Sequence, residues 1–123
     1  ETTFTAEKFT KQITIPAVSF NFLGDEISAT NLEGYEIHSG VTKNLDGKKI
    51  ISAGNVFGTY VHGIFDNDDF RRKILNAIRR KKNLPALEVT KNFRAEKQKN
   101  YERLAKIVRE NLNMKLLEKI LNC

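Results

Sequence analysis

The chain has 123 residues, 40% of them hydrophobic and 29% charged, which is the size of one modest domain and a composition that excludes disorder. No apolar run reaches the roughly 18 residues of a membrane span, and no charged start leads into an apolar core as a secretory signal would, so no membrane is expected and the default compartment is the cytoplasm. The net charge of +6 invites a nucleic-acid partner, but the densest basic run, Arg79-Arg80-Lys81-Lys82, stands where a helix should end and has no aromatic platform beside it. A solvated helix end is the better reading of that run, and no nucleic acid is expected.

The chain opens on Glu1-Thr2-Thr3-Phe4, with neither an initiator Met nor a targeting stretch, and reads as a segment of something longer. Residues Lys8 to Ala17 alternate in part, with Phe9, Ile13 and Ile15 separated by polar groups, which predicts a strand with one wet face. Pro16, lacking an N–H, ends that strand or places it at an edge, and a turn is expected around Gly24-Asp25-Glu26. Tyr35-Glu36-Ile37-His38, bracketed by Gly34 and Gly40, predicts a second short strand, and Asn44 to Lys49 an exposed turn with Asp46-Gly47 as its tip. The apolar, β-branched stretch from Val56 to Phe65 is the candidate for a buried central strand.

Asp66, Asn67, Asp68 and Asp69 then supply short capping side chains and negative charge for a helix start. Phe70, Ile74, Ala77 and Ile78 recur on one helical face, with Leu75 beside them and Pro85 beyond, predicting a helix over roughly residues 68–81. A second helix is expected from about Arg94 to Leu112 with Tyr101, Leu104, Ala105, Val108 and Leu112 as its apolar stripe, followed by a short one capped by Asn113.

Chemistry is concentrated at two histidines, His38 and His62, both next to or near glycine on predicted strands. Ligands of α/β sheets gather at the carboxyl ends of strands, where the next helix presents its N-terminal dipole, and His62 has that position. Cys123 is the sole cysteine and the last residue, so neither an internal disulfide nor a cysteine-rich metal site can form. It lacks the glycines of a tight nucleophile elbow and reads as an ordinary terminal residue. No glycine-rich phosphate loop is present, so no cofactor-binding or metal residue is assigned.

The string Gly58-Thr59-Tyr60-Val61-His62-Gly63-Ile64-Phe65-Asp66-Asn67-Asp68 resembles the strand of class I glutamine amidotransferases that carries the catalytic histidine. With Gly34-Tyr35-Glu36-Ile37-His38-Ser39-Gly40 before it, Phe70-Arg71-Arg72 after it and Tyr101-Glu102-Arg103-Leu104-Ala105 opening a last helix, the chain is most similar to the cobyric acid synthase family. The resemblance implies the C-terminal portion of a three-layer α/β glutamine amidotransferase domain over residues 1–123, mixed strands followed by helices. The nucleophile segment and an N-terminal synthetase domain, with its ATP and Mg, would then be absent partners of the same polypeptide.

Members of that family amidate peripheral carboxylates of adenosylcobyrinic acid a,c-diamide with glutamine-derived ammonia, on the route to cobalamin. The resemblance makes His62 the base that serves a cysteine nucleophile supplied from elsewhere, so the segment alone is expected to be inactive. Many class I members carry a glutamate two positions beyond the histidine; Ile64 stands there, leaving either a cysteine–histidine dyad or an acid from another strand. Glu36 is the candidate for that orienting acid and His38 for lining the same cleft, against the plainer readings of a solvent-facing residue and a strand-end residue. Cobyrinic acid a,c-diamide synthase, the peptidoglycan-amidating amidotransferase, a degenerate amidotransferase-like scaffold and a non-catalytic basic binding module are the competing readings. Loss of the nucleophile segment would expose apolar surface and favour self-association.

Overall fold

The computed structural model describes residues 1–43, 47–88 and 91–121. The chain divides into two compact units, Glu1–Lys91 and Asn92–Cys123. In the first unit, β1 (Thr2–Phe22) and β2 (Asp25–Thr42) pair antiparallel as one long hairpin. Leu23 and Gly24 form its turn with φ of 56° and 91°, and positive φ at both central residues gives the twist that tight hairpins need.

β1 therefore runs well beyond Ala17. Pro16 sits opposite Asn31, between the pairs Ile15–Leu32 and Ala17–Thr30, and its missing N–H is tolerated because β1 is the outer strand of a sheet ordered β1-β2-β5. The core-facing parity changes here on both strands together. Ile13 and Ile15 give way to Val18, Phe20 and Phe22 on β1, while Ile27 and Ala29 give way to Leu32 and Glu36 on β2. Asn31, at φ 52°, makes the switch on its strand, so the alternation visible in the sequence stops at Pro16 although the strand does not.

β3 (Ile50–Ala53) and β4 (Val56–Thr59) make a second short hairpin, and β5 (Val61–His62) pairs antiparallel with β2. The expected central strand from Val56 to Phe65 is thus corrected: it is divided among β4, β5 and a 3-10 turn at Ile64–Asp66, and the central strand is β2. Thr59 enforces the division, its hydroxyl donating to the Lys49 carbonyl (2.6 Å) and accepting from the Val61 N–H (3.0 Å). Gly63 then ends β5 at φ 73°. The expected tip at Asp46 lies outside the described residues.

α1 (Asp68–Lys81) has the predicted bounds and buries Phe70, Ile74 and Ala77. Phe70 is fully buried, with the rings of Phe20, Phe57 and Phe65 at 6.3, 6.4 and 5.8 Å. Its cap differs from the expectation. Asn67 occupies the N-cap position without capping the helix; its amide accepts from the Glu33 N–H (3.0 Å) and donates to the carbonyls of Glu33 (2.8 Å) and Ile64 (2.9 Å). The side chain so continues the edge of β2 where β5 has run out. At the other end Arg79 donates to the Pro85 carbonyl and Arg80 pairs with Asp25 at 2.8 Å, so half of the basic run is used within the unit.

The second unit contains α2 (Phe93–Asn111), within two residues of the expected bounds, and the short helix α3 (Met114–Leu121). Asn92 caps α2 through the Ala95 N–H (2.9 Å), and Asn113 caps α3 through the Leu116 N–H (3.1 Å), the latter as the sequence predicts. Tyr101, Leu104, Val108 and Leu112 of the apolar stripe are exposed. Among the described residues no helix is long and apolar enough to cross a membrane, and Cys123 lies outside them.

Replacing Phe70 with Ala should cost about 3–5 kcal/mol, because its cavity is closed on three sides by other rings. Leu75→Ala on the exposed side of the same helix should stay within about 0.5 kcal/mol. Urea denaturation of the two variants against the parent measures both.

Candidate active site

Two residue pairs define the region: Tyr35 opposite His62, and Glu36 opposite Val61. Residues directly opposed in a ladder project to the same face, and successive residues to opposite faces. Tyr35 and His62 therefore share the open face, while Glu36 and Val61 share the covered one, where they are 4% exposed each. β5 can come this close because residue 34 is glycine: a Cβ there would lie 2.5 Å from Val61 Cγ1 and 2.6 Å from the His62 carbonyl oxygen.

His62 is exposed at the end of β5, immediately before the left-handed Gly63. Its imidazole lies on the Tyr35 ring with centroids 5.2 Å apart and planes inclined by 17°. Among the described residues no side chain hydrogen-bonds to the imidazole, which leaves both ring nitrogens available to a reacting group. Ile64, at the position where many amidotransferases carry an acid, is 3% exposed and belongs to the core, so hydrophobic packing occupies the place of an orienting carboxylate.

Glu36 and His38 are brought together with each other rather than with His62. Both carboxylate oxygens of Glu36 accept from Lys49 Nζ, at 2.9 and 3.1 Å, and His38 Nε2 stands 3.9 Å from one of them. The His38 Nδ1 donates to the Gly40 carbonyl at 2.8 Å, since a carbonyl only accepts. The same ring is held between Tyr60, 4.5 Å away and nearly parallel, and Phe9, 5.1 Å away. The Tyr60 hydroxyl bonds in turn to Thr42 Oγ1. Glu36, His38, Thr42, Lys49 and Tyr60 line a cavity of about 230 Å3 on the covered side of β2.

Lys49 went unmarked in the sequence, and the roles of Tyr60, Gly34 and Asn67 were not legible there, because each acts through a distant partner. Lys49 lies 13 positions from Glu36 and Asn67 lies 34 from Glu33, separations at which no local pattern operates. Among the described residues no group of three metal-ligating side chains converges. The first turn of α1 carries Asp68 and Asp69, a negative start that does not suit nucleotide phosphates.

The hairpin-built sheet, with the exposed imidazole at the end of its short third strand, lies within the region that a known family model matches. The chain belongs to the CobB/CobQ-like glutamine amidotransferase domain family, whose model matches residues 1–70 and so includes Glu36, His38 and His62. Among curated proteins it is similar to the cobyric acid synthase of Alkaliphilus metalliredigens, 38% identical over 98% of this chain and 28% of that protein. The cobyric acid synthase of Carboxydothermus hydrogenoformans is 40% identical over 73% of this chain and 20% of its own length. The adenosylcobalamin biosynthesis bifunctional protein CobDQ of Leptospira interrogans is 41% identical over 72% and 12%. The chain thus spans 12–28% of the length of these relatives. No solved structure matches it.

Gly34→Ala should force β5 away from β2, since neither Val61 nor a backbone carbonyl can yield to a contact this short, at a cost of about 1–3 kcal/mol. Loss of the cross-strand nuclear Overhauser effects between Tyr35 and His62 would register it. Lys49→Met should destabilise by about 1–3 kcal/mol, because the buried Glu36 carboxylate loses both of its charged hydrogen bonds. An unchanged denaturation midpoint would show that water replaces the ammonium without loss.

Proposed function

We propose that this chain is the histidine-bearing part of the glutamine amidotransferase domain of a cobyric acid synthase, and that His62 is the general base of its glutaminase site. The observation that carries the reading is the exposed imidazole of His62, free of hydrogen bonds among the described residues, inside the matched family region. The names of the relatives supply the reaction class.

A thiol is only slightly ionised near neutral pH, so a cysteine needs a neighbouring base to become a nucleophile. In the proposed site His62 takes the thiol proton, the thiolate adds to the side-chain carboxamide carbon of glutamine, and the imidazolium returns the proton to the departing nitrogen. The C–N bond breaks, ammonia leaves, and water later cleaves the thioester to glutamate, with His62 again taking a proton. The cysteine comes from a separate nucleophile-bearing segment, the chain alone is inactive, and the completed domain has three layers. Because Glu36 is held by Lys49 across the sheet and Ile64 is in the core, cysteine and His62 work as a dyad. Glu36 and His38 support β2 from behind. ATP and Mg belong to the synthetase domain, which uses the ammonia to amidate the corrinoid diamide in the cytoplasm.

The same chemistry would serve cobyrinic acid a,c-diamide synthase. The relatives named cobyric acid synthase favour the assignment made here.

In the intact enzyme His62→Ala should lower glutamine-dependent amidation of adenosylcobyrinic acid a,c-diamide by about 100- to 10,000-fold. Amidation with free ammonium should persist, since ammonia then bypasses the base. Glutamine hydrolysis at the parent rate in that variant would remove His62 from the chemistry.

A further inference from the structure

We infer that Tyr35 is the positioning residue of the His62 imidazole, holding through ring stacking the orientation that other amidotransferases fix with an acid; the inference rests on the glutaminase reading of His62. A histidine that moves a proton must keep one nitrogen aimed at its partner, and an unrestrained side chain at the end of a two-residue strand samples several rotamers. The usual restraint is a hydrogen bond to the second ring nitrogen. Here the position two beyond the histidine is Ile64, buried in the core. The carboxylate of Glu36 is on the opposite face of β2, engaged by Lys49. What does touch the ring is Tyr35, directly opposed in the ladder and stacked 5.2 Å away at 17°.

Tyr35 suits this task for two further reasons. The residue is 45% exposed, so its ring is not needed to fill the core. It also covers the next residue, because a Cβ at Gly63 would lie 3.8 Å from Tyr35 Cε1, which places the phenol ring along both the imidazole and the turn that follows it. A stack constrains the plane of the imidazole while leaving both nitrogens free, one for the thiol and one for solvent or glutamine. The element that matters is then the ring and not the hydroxyl.

The test compares Tyr35→Leu with Tyr35→Phe. By NMR, the His62 ring protons should be shifted upfield by the ring current in the parent chain and in Tyr35→Phe, and return to ordinary values in Tyr35→Leu. In the intact enzyme Tyr35→Leu should reduce kcat for glutamine hydrolysis by about tenfold to a hundredfold with KM little changed, Tyr35→Phe should restore it, and ammonium-dependent amidation should report on folding. Unshifted His62 ring protons in the parent chain, or equal kcat in the Leu and Phe variants, would overturn the positioning role. His62→Ala separates the two levels: if it abolishes glutamine hydrolysis while Tyr35→Leu does not slow it, only the role of Tyr35 falls. If His62→Ala leaves hydrolysis intact, the catalytic reading of the site falls, and the positioning role falls with it.

Discussion

Val61 and His62 form a strand of two residues, and the chemistry available on both faces of the sheet hangs on its register against Tyr35 and Glu36. A slip of one position would exchange the faces, burying the imidazole and exposing Val61. Few backbone bonds are available to prevent this, so side chains and glycines do most of the holding. Gly34 lets the strands approach, Thr59 ties the start of β5 to the Lys49 carbonyl, and the Asn67 amide grips Glu33 beyond its end. Gly63 turns the chain away at a positive φ so that Ile64 can enter the core.

The same register sorts the polar groups of β2. Glu36 and His38 fall on the side covered by packing, where the carboxylate meets Lys49 and the imidazole is clamped between Phe9 and Tyr60. A buried carboxylate without such partners would be costly, whereas a paired one ties β2 to the loop before β3. His62 falls on the other side, with Tyr35 stacked against its ring. Two histidines of similar sequence surroundings thus acquire different environments, one partly buried and one exposed.

Behind this, the long hairpin keeps one continuous buried face although its two halves use opposite residue parity. The paired irregularity at Pro16 and Asn31 shifts both strands at once, so the flanking pairs Ile15–Leu32 and Ala17–Thr30 keep one register. α1 then covers that face through Phe70, Ile74 and Ala77, and Arg80 and Lys73 anchor it to Asp25 and the Ser28 carbonyl. Helix and β3–β4 hairpin occupy the covered face together through the Phe57 and Phe70 contact.

Much of this was determined by the sequence itself. The bounds of α1 follow from the spacing of Phe70, Ile74 and Ala77, the cap of α3 from Asn113, and the family from the strings around His38 and His62, because each depends on residues close together in the chain. The continuation of β1 past Pro16 was hidden, since a parity switch erases the alternation that marks a strand. The break-up of the Val56–Phe65 run was hidden too, because it is imposed by Thr59 bonding back to Lys49 and by Gly63. Which side of the sheet Glu36 and His62 occupy was decided by tertiary structure alone: faces are set by pairing between strands some 26 residues apart (Glu36 to His62), and composition carries no record of which residues will stand opposite one another.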